Sequence, residues 1–157
     1  MSPKDLDLAD DTGFLLAYAS GVLARMTNAR LATLGLRVRH YSVLSLVCDR
    51  EGASQREIAE ILGLDPSPVV ALVDALEDDG LVQRLPHPAD RRTRLVTPTP
   101  EGRAVREQAR ADVAATREEF LTPLPHAERD QLLDILRRLV FTDPGESRPS
   151  DKEDLDA

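Results

Sequence analysis

The sequence predicts a mainly α-helical fold with one small β-hairpin, and three features carry that expectation. Apolar residues recur at steps of three or four over residues 11–35 and again over residues 126–141, the spacing of one helix face. Between them a Ser-x-x-Glu box and well-placed glycines mark two short helices in close succession. Only residues 81–98 read as extended, in two short runs divided by a turn-rich tip.

Composition agrees. The 157 residues suffice for one domain, or for a small head with an oligomerisation element attached. The chain is 41% hydrophobic but only 3% aromatic and lacks Trp, so its apolar residues are mainly Leu, Val and Ala. That mixture favours helices. One Cys excludes an internal disulfide. No stretch approaches the roughly 18 unbroken apolar residues of a membrane span. The N-terminal stretch is acidic and lacks an apolar core, so no secretory signal is read and a cytoplasmic protein with no membrane association is expected.

The elements follow in order. Leu15, Tyr18, Val22, Met26 and Ala29 stripe a long helix that Gly35 should end. Residues 40–50 form the next, with Val43, Leu44 and Val47 inward, and Gly52 breaks the chain. Ser54 and Glu57 then make a capping box, Ile58, Ile61 and Leu62 an apolar face, and Gly63 a left-handed stop. After one tight turn, Asp65 or Ser67 can cap a helix whose inner face is Val69, Leu72, Val73 and Leu76. Prolines in its first turn cost little, because the N–H groups there lack partners anyway. Gly80 closes it. LVQRL, a HPADRR tip and TRLVTP then form a hairpin, and a hairpin after a helix-turn-helix defines a wing. A long charged helix should run from TPEGR to about Leu121, and HAERDQLLDILRRLVF forms the last, with Leu132, Ile135, Leu136, Leu139 and Val140 on one stripe. Residues 142–157 have almost no apolar side chains and are expected to be a disordered acidic tail.

Between about residues 40 and 105, this order of signals resembles the MarR family. The run D-R-R-T-R-L-V-T-P-T-P-E-G, Asp90 to Gly102, matches the acidic residue, basic pair, strand and T-x-x-G helix start of that family's wing. Leu62 to Arg84 resembles its recognition helix and first wing strand, and the long outer helices fit its dimerisation helices. The resemblance implies a winged helix-turn-helix over residues 37–100. Dimerisation helices are then expected at 1–36 and 101–141. It further implies a homodimer that binds a palindromic operator in double-stranded DNA, most simply as a repressor, under control of an unidentified small-molecule effector. Helix 66–79 would enter the major groove and the wing the adjacent minor groove.

A net charge of −8 is unusual for such a protein, but it is unevenly spread. Residues 107–157 carry 7 basic and 13 acidic groups, whereas residues 37–106 carry 10 and 11. Within 82–94, Arg84, Arg91, Arg92 and Arg94 face only Asp90. Local field outweighs total charge for docking on phosphate. By this resemblance Arg92 enters the minor groove, oriented by Asp90 through a charge-assisted hydrogen bond, while Arg91 and Arg94 touch phosphates. Ser67, Pro68, Val70, Ala71 and Asp74 are the outward positions of the recognition helix. Val70 and Ala71 cannot hydrogen-bond base edges but can pack on thymine methyls. Asp74 repels phosphate unless it accepts from a cytosine amine or pairs with a neighbouring Arg. Arg37, Arg39, His40 and Ser42, at one helix start, are placed to hold phosphates, and Gln55 and Arg56, at another, either do the same or simply face solvent. Phe14, Tyr18, Met26, Tyr41 and Leu44 are the candidates to line an effector cleft, or else to be ordinary core.

No catalytic residue, metal site or cofactor is expected. His40, His87 and His126 are isolated, without H-x-x-x-H or C-x-x-C spacing, a phosphate-binding glycine loop or a nucleophile elbow. Cys48 follows Val47 late in its helix and reads as an inert buried thiol. The alternative to a DNA-binding regulator is a winged-helix module that binds another protein and has weak or no affinity for DNA.

Overall fold

The structure is a computed structural model and describes residues 7–90 and 92–141. Arg91 and the tail 142–157 lie outside the described residues. Residues up to Glu119 form one compact unit, and those from Phe120 onward form a second.

In the first unit, α1 (Thr12–Leu31) continues as a 3₁₀ turn over Ala32–Leu34 and stops at Gly35, whose φ of 69° is left-handed. Next come α2 (Val38–Asp49), β1 (Ala53–Ser54), α3 (Gln55–Leu62), α4 (Pro66–Asp78), β2 (Val82–Pro86), β3 (Arg94–Pro98) and α5 (Pro100–Phe120). The strands form an antiparallel sheet in the order β1-β3-β2, with Ala53 opposite Val96 and Arg84 opposite the other side of Val96. The expected hairpin is therefore part of a three-stranded sheet. The extra strand is only two residues long, too short to leave a periodic signal.

Leu31 and Leu36 join Val43, Leu44 and Val47 of α2, Ile58 of α3, Val69, Val73 and Leu76 of α4, and Val82 and Val96 of the sheet in one core. The inward faces expected for α2 and α4 are the ones found. The stripe expected on α1 differs: only Thr27 and Leu31 of that helix are buried, and Leu15 and Tyr18 are about half exposed. The core ends at the last turn of α1, so its apolar residues nearer the N-terminus have no core beneath them.

Local chemistry accounts for the helix boundaries. Ser54 Oγ accepts from the Glu57 N–H at 3.2 Å and the Glu57 carboxylate accepts from the Ser54 N–H at 2.8 Å, a complete capping box. Caps of this kind typically contribute ~1 kcal/mol. That same backbone hydrogen bond is the main reason the Glu57 carboxyl titrates below its usual range. Gly63 ends α3 at φ 60°. Neither candidate cap of α4 acts as one: Asp65 occupies the N-cap position but its side chain makes no capping bond. Pro66 and Pro68 have no N–H to satisfy, which removes much of the need. At the start of α2, Arg37 makes no side-chain cap either, and Asn28 of α1 accepts from the Val38 N–H at 2.8 Å instead.

α5 is fastened at its first turn. Thr99 Oγ1 accepts from the Gly102 N–H at 3.0 Å and donates to the Gly80 carbonyl at 2.7 Å, while the Thr99 N–H donates to the Leu81 carbonyl at 3.1 Å. Further along, Arg103 pairs with Glu51, which is held in the left-handed region at φ 58°, and Arg106 pairs with Asp49.

In the second unit, α6 (His126–Phe141) follows a turn whose Leu124 carbonyl accepts from Arg129 Nε of α6 at 2.8 Å. No α6 residue is buried, and Leu139 and Val140 of its predicted stripe are more than half exposed. No helix among the described residues is long and apolar enough to cross a membrane.

Candidate nucleic-acid interface

α3, a short turn at Gly63 and α4 form the helix-turn-helix, and β2, the tip and β3 form the wing behind it. Burying Val69, Val73 and Leu76 turns the opposite side of α4 outward, where Ser67, Val70, Ala71 and Asp74 are exposed and Pro68 is half-buried.

The wing tip is closed differently from the sequence expectation. The Asp90 carboxylate does not hold the Arg92 guanidinium. Its Oδ1 accepts from the Arg92 backbone N–H and its Oδ2 from the Thr93 hydroxyl, both at 3.0 Å. The Thr93 N–H returns to the Asp90 carbonyl at 3.0 Å, and the His87 N–H donates to the Thr93 carbonyl at 2.9 Å. A short acidic side chain bonding backbone two residues on is a standard way to shape a tight turn. Asp90 therefore sets the backbone, which leaves Arg92 exposed, with no partner for its guanidinium among the described residues.

Ion pairing sorts the arginines. Several that brace the reading head are paired: Arg56 with Glu60 at 2.8 Å, Arg84 with Asp74 at 2.5 Å and with Glu77, Arg103 with Glu51, Arg106 with Asp49 and Glu107. Arg25 on α1 and Arg137 on α6 are exposed without a carboxylate partner among the described residues. Hydrogen bonds donated to their carboxylate partners hold the Arg56 and Arg103 guanidinium pKa values above the ordinary one. Arg37, Arg39, Arg92 and Arg94 have exposed side chains and no carboxylate partner among the described residues. Four cations at the start of α2 and on the wing are thus available to an external anion.

The remaining candidates are less free than their sequence positions suggested. Ser42 is half-buried and its hydroxyl donates to the Val38 carbonyl at 3.0 Å. Gln55 Oε1 accepts two hydrogen bonds from Arg84, at 3.0 and 2.8 Å, so its carbonyl end braces the scaffold. His40 is half-buried with Nδ1 unpartnered, and burial lowers its pKa. It is therefore a poor cation for phosphate at neutral pH.

Phe14 and Tyr18 stack obliquely on α1, with ring centroids 5.8 Å apart, and Met26 and Tyr41 are half-buried. Leu44 is wholly buried in the core and has no surface with which to line a cleft. A separate concavity lies along the end of α1, lined by Arg25, Asn28, Ala29, Ala32, Gly35, Leu36 and Arg37.

Sequence reasoning passed over Arg84 as a bridging residue and Asn28 as the acceptor that caps the neighbouring helix α2. Basic Arg84 was visible in the 82–94 run, but its partners lie at positions 55, 74 and 77, which only folding brings together.

Comparison with known proteins agrees with this geometry. The MarR family model matches residues 34–93. The chain is 43% identical to a MarR-family transcriptional regulator of Rhodococcus sp. RHA1, with a TM-score of 0.81 over 87% of this chain and 96% of that one. It is 44% identical to CouR of Rhodococcus jostii RHA1, solved with p-coumaroyl-CoA bound, with a TM-score of 0.79 over 88% and 98% of the two chains. A transcriptional regulatory protein for the hcr operon of Thauera aromatica is 32% identical over 139 residues, covering 87% of this chain and 82% of that protein. With the wing, the helix-turn-helix and these relatives in agreement, the chain belongs to the MarR family of winged helix-turn-helix transcriptional regulators.

Proposed function

We propose that the protein is a homodimeric, sequence-specific DNA-binding repressor of the cytoplasm whose operator affinity is set by a small-molecule effector. The observation that carries this reading is the sorting of charge. Within the reading head, Arg56, Arg84, Arg103 and Arg106 are paired with carboxylates, while Arg92 and Arg94 on the wing and Arg37 and Arg39 at the start of α2 have no carboxylate partner among the described residues. An acidic chain that pairs part of its reading-head acid internally can still offer a basic edge to phosphate. Residues 37–100 serve as the reading head. Residues 1–36 and 101–141 serve as dimerisation segments, supported by the apolar surface that α1 and α6 leave uncovered. A dimer seated on an operator excludes polymerase from the same DNA, which is the simplest route to repression.

Selection of random duplexes on the purified protein, followed by titration at two salt concentrations, tests this. An enriched palindrome with half-sites about one helical turn apart is expected. Its affinity should fall steeply with salt, because each neutralised phosphate contributes a slope of about −0.9 in log K against log salt. No enrichment and no binding at low salt would favour the protein-interaction module instead.

For the effector, the likeness to CouR makes a CoA thioester of an aromatic acid the first class to test. p-Coumaroyl-CoA is expected to weaken operator binding, and free coenzyme A to leave it unchanged. Only differential affinity for the DNA-competent and incompetent states gives such a response. Equal operator affinity with and without the thioester, at saturating thioester, would exclude that class.

A redox signal is not part of this reading. Cys48 is buried, and burial pushes its thiol pKa up against the pull of Arg103 and Arg106, so little thiolate exists at neutral pH. Cys48→Ser is expected to leave DNA binding, before and after peroxide, as in the parent protein. A peroxide effect present in the parent and lost in the variant would assign the thiol a sensing role.

A further inference from the structure

Arg84 of β2 binds three elements at once. Its guanidinium donates to Gln55 Oε1 of α3 through Nε and Nη2 at 3.0 and 2.8 Å, and to Asp74 Oδ1 of α4 through Nη2 at 2.5 Å. Nη1 donates to Glu77 Oε2, and the Arg84 backbone N–H donates to Glu77 Oε1 at 2.9 Å. The Arg84 side chain is 22% exposed, against 56% for Asp74 and 38% for Glu77. The cation thus lies beneath its two carboxylates and is poorly placed to reach DNA itself. Burial alone would lower its pKa, but the hydrogen bonds it donates to Asp74 and Glu77 outweigh that and hold it charged.

Asp74 is the one acidic residue among the outward positions Ser67, Pro68, Val70, Ala71 and Asp74 of α4. Unpaired, it would face the phosphates and the acceptor-rich major groove with like charge. Paired, it leaves the Ser67 hydroxyl and the apolar Val70 and Ala71 as the chemistry that α4 offers to bases. The same clasp ties β2 to α4, so wing and recognition helix are held in one relative geometry.

We infer that Arg84 is a positioning and specificity-determining residue for DNA recognition, acting by holding and neutralising Asp74 rather than by touching DNA. The inference rests on the DNA-binding reading above. From it follows a compensation that neither a direct phosphate contact nor a purely structural role would produce. Arg84→Ala unmasks Asp74, and Asp74→Asn then removes the charge that needed masking.

The test measures operator affinity of the full-length parent, Arg84→Ala, Asp74→Asn and the double variant on the selected duplex, with thermal unfolding of each. Arg84→Ala is expected to lose at least about tenfold in operator affinity, the scale of one lost recognition contact. The double variant should return to within about threefold of the parent, about half the free-energy cost of such a tenfold loss. A double variant that binds no better than Arg84→Ala would overturn the inference. A parent that selects a palindrome while the double variant stays weak would leave the DNA-binding reading standing and this one refuted. A parent that binds no duplex at low salt would overturn both. Should Arg84→Ala fail to fold, Arg84→Gln with and without Asp74→Asn makes the same comparison, because Gln retains a donor and most of the volume.

Discussion

Gly102→Ala is expected to lower the stability of the protein by ~3 kcal/mol or more, the upper range for forcing atoms into a packed interior. A Cβ at this position would lie 1.9 Å from the Leu81 carbonyl oxygen and 2.9 Å from its carbon. Neither partner can step aside cheaply. The Leu81 carbonyl accepts from the Thr99 N–H, the Leu81 N–H donates to the Leu76 carbonyl at 2.9 Å, and the Gly102 N–H is held by Thr99. Relief therefore requires the first turn of α5 to lift off the end of α4, undoing the anchoring at Thr99. Thermal unfolding by circular dichroism reads this as a melting temperature lower by about 6–12 °C for a chain of this size. Gly21→Ala is the control. Its Cβ would meet only Arg25 Nη1 at an ordinary 3.5 Å, inside a helix, and should stabilise by about 0.5–1 kcal/mol. A Gly102→Ala protein that melts within about 2 °C of the parent, under 1 kcal/mol for a chain of this size, would show that the close approach is not real.

Arg92→Ala is expected to weaken operator binding at least about tenfold, equivalent to ~1.4 kcal/mol. A guanidinium gains most where the minor groove is narrow and its negative potential strongest. Arg92 is suited to such a site because the wing presents it exposed and, among the described residues, unpaired, on a tip whose backbone is set by Asp90. The side chain takes no part in that turn, so its removal should leave the melting temperature unchanged, which separates a lost contact from a lost wing. Asp90→Ala should also weaken binding, but by loosening the tip. Arg94→Ala should reduce the salt slope by about 0.9 if it neutralises one phosphate. Operator affinity of Arg92→Ala equal to that of the parent at moderate salt would remove Arg92 from the interface.

Much of the fold was legible because its signals are local. A capping box, a left-handed glycine and an apolar step of three or four each act within one or two turns of chain, so Ser54, Glu57, Gly63 and the inner face of α4 could be read directly. Where a signal depended on a distant partner, the reading fell short. Asp65 and Ser67 were reasonable caps by residue type, yet two prolines left α4 little to cap. β1 exists only because β3 runs beside it. Leu15 and Tyr18 look like core on a helical wheel, but periodicity states which face is apolar and not what covers it.

The candidate interface divides along the same line. Sequence alone determined the order of the elements, the presence of a wing between two helical flanks, the basic character of residues 82–94 and the outward residues of α4, since each follows from residue type and short-range spacing. Only the tertiary structure decided which charges are spent and which are free. Asp74, Glu77 and Gln55 converge on Arg84 across as many as 29 positions, and Asp49 and Glu51 meet Arg106 and Arg103 across more than 50. Coulomb interactions and hydrogen bonds act through space with no regard to sequence separation, so the neutralised scaffold and the open arginines of the wing become distinguishable only after the chain has folded.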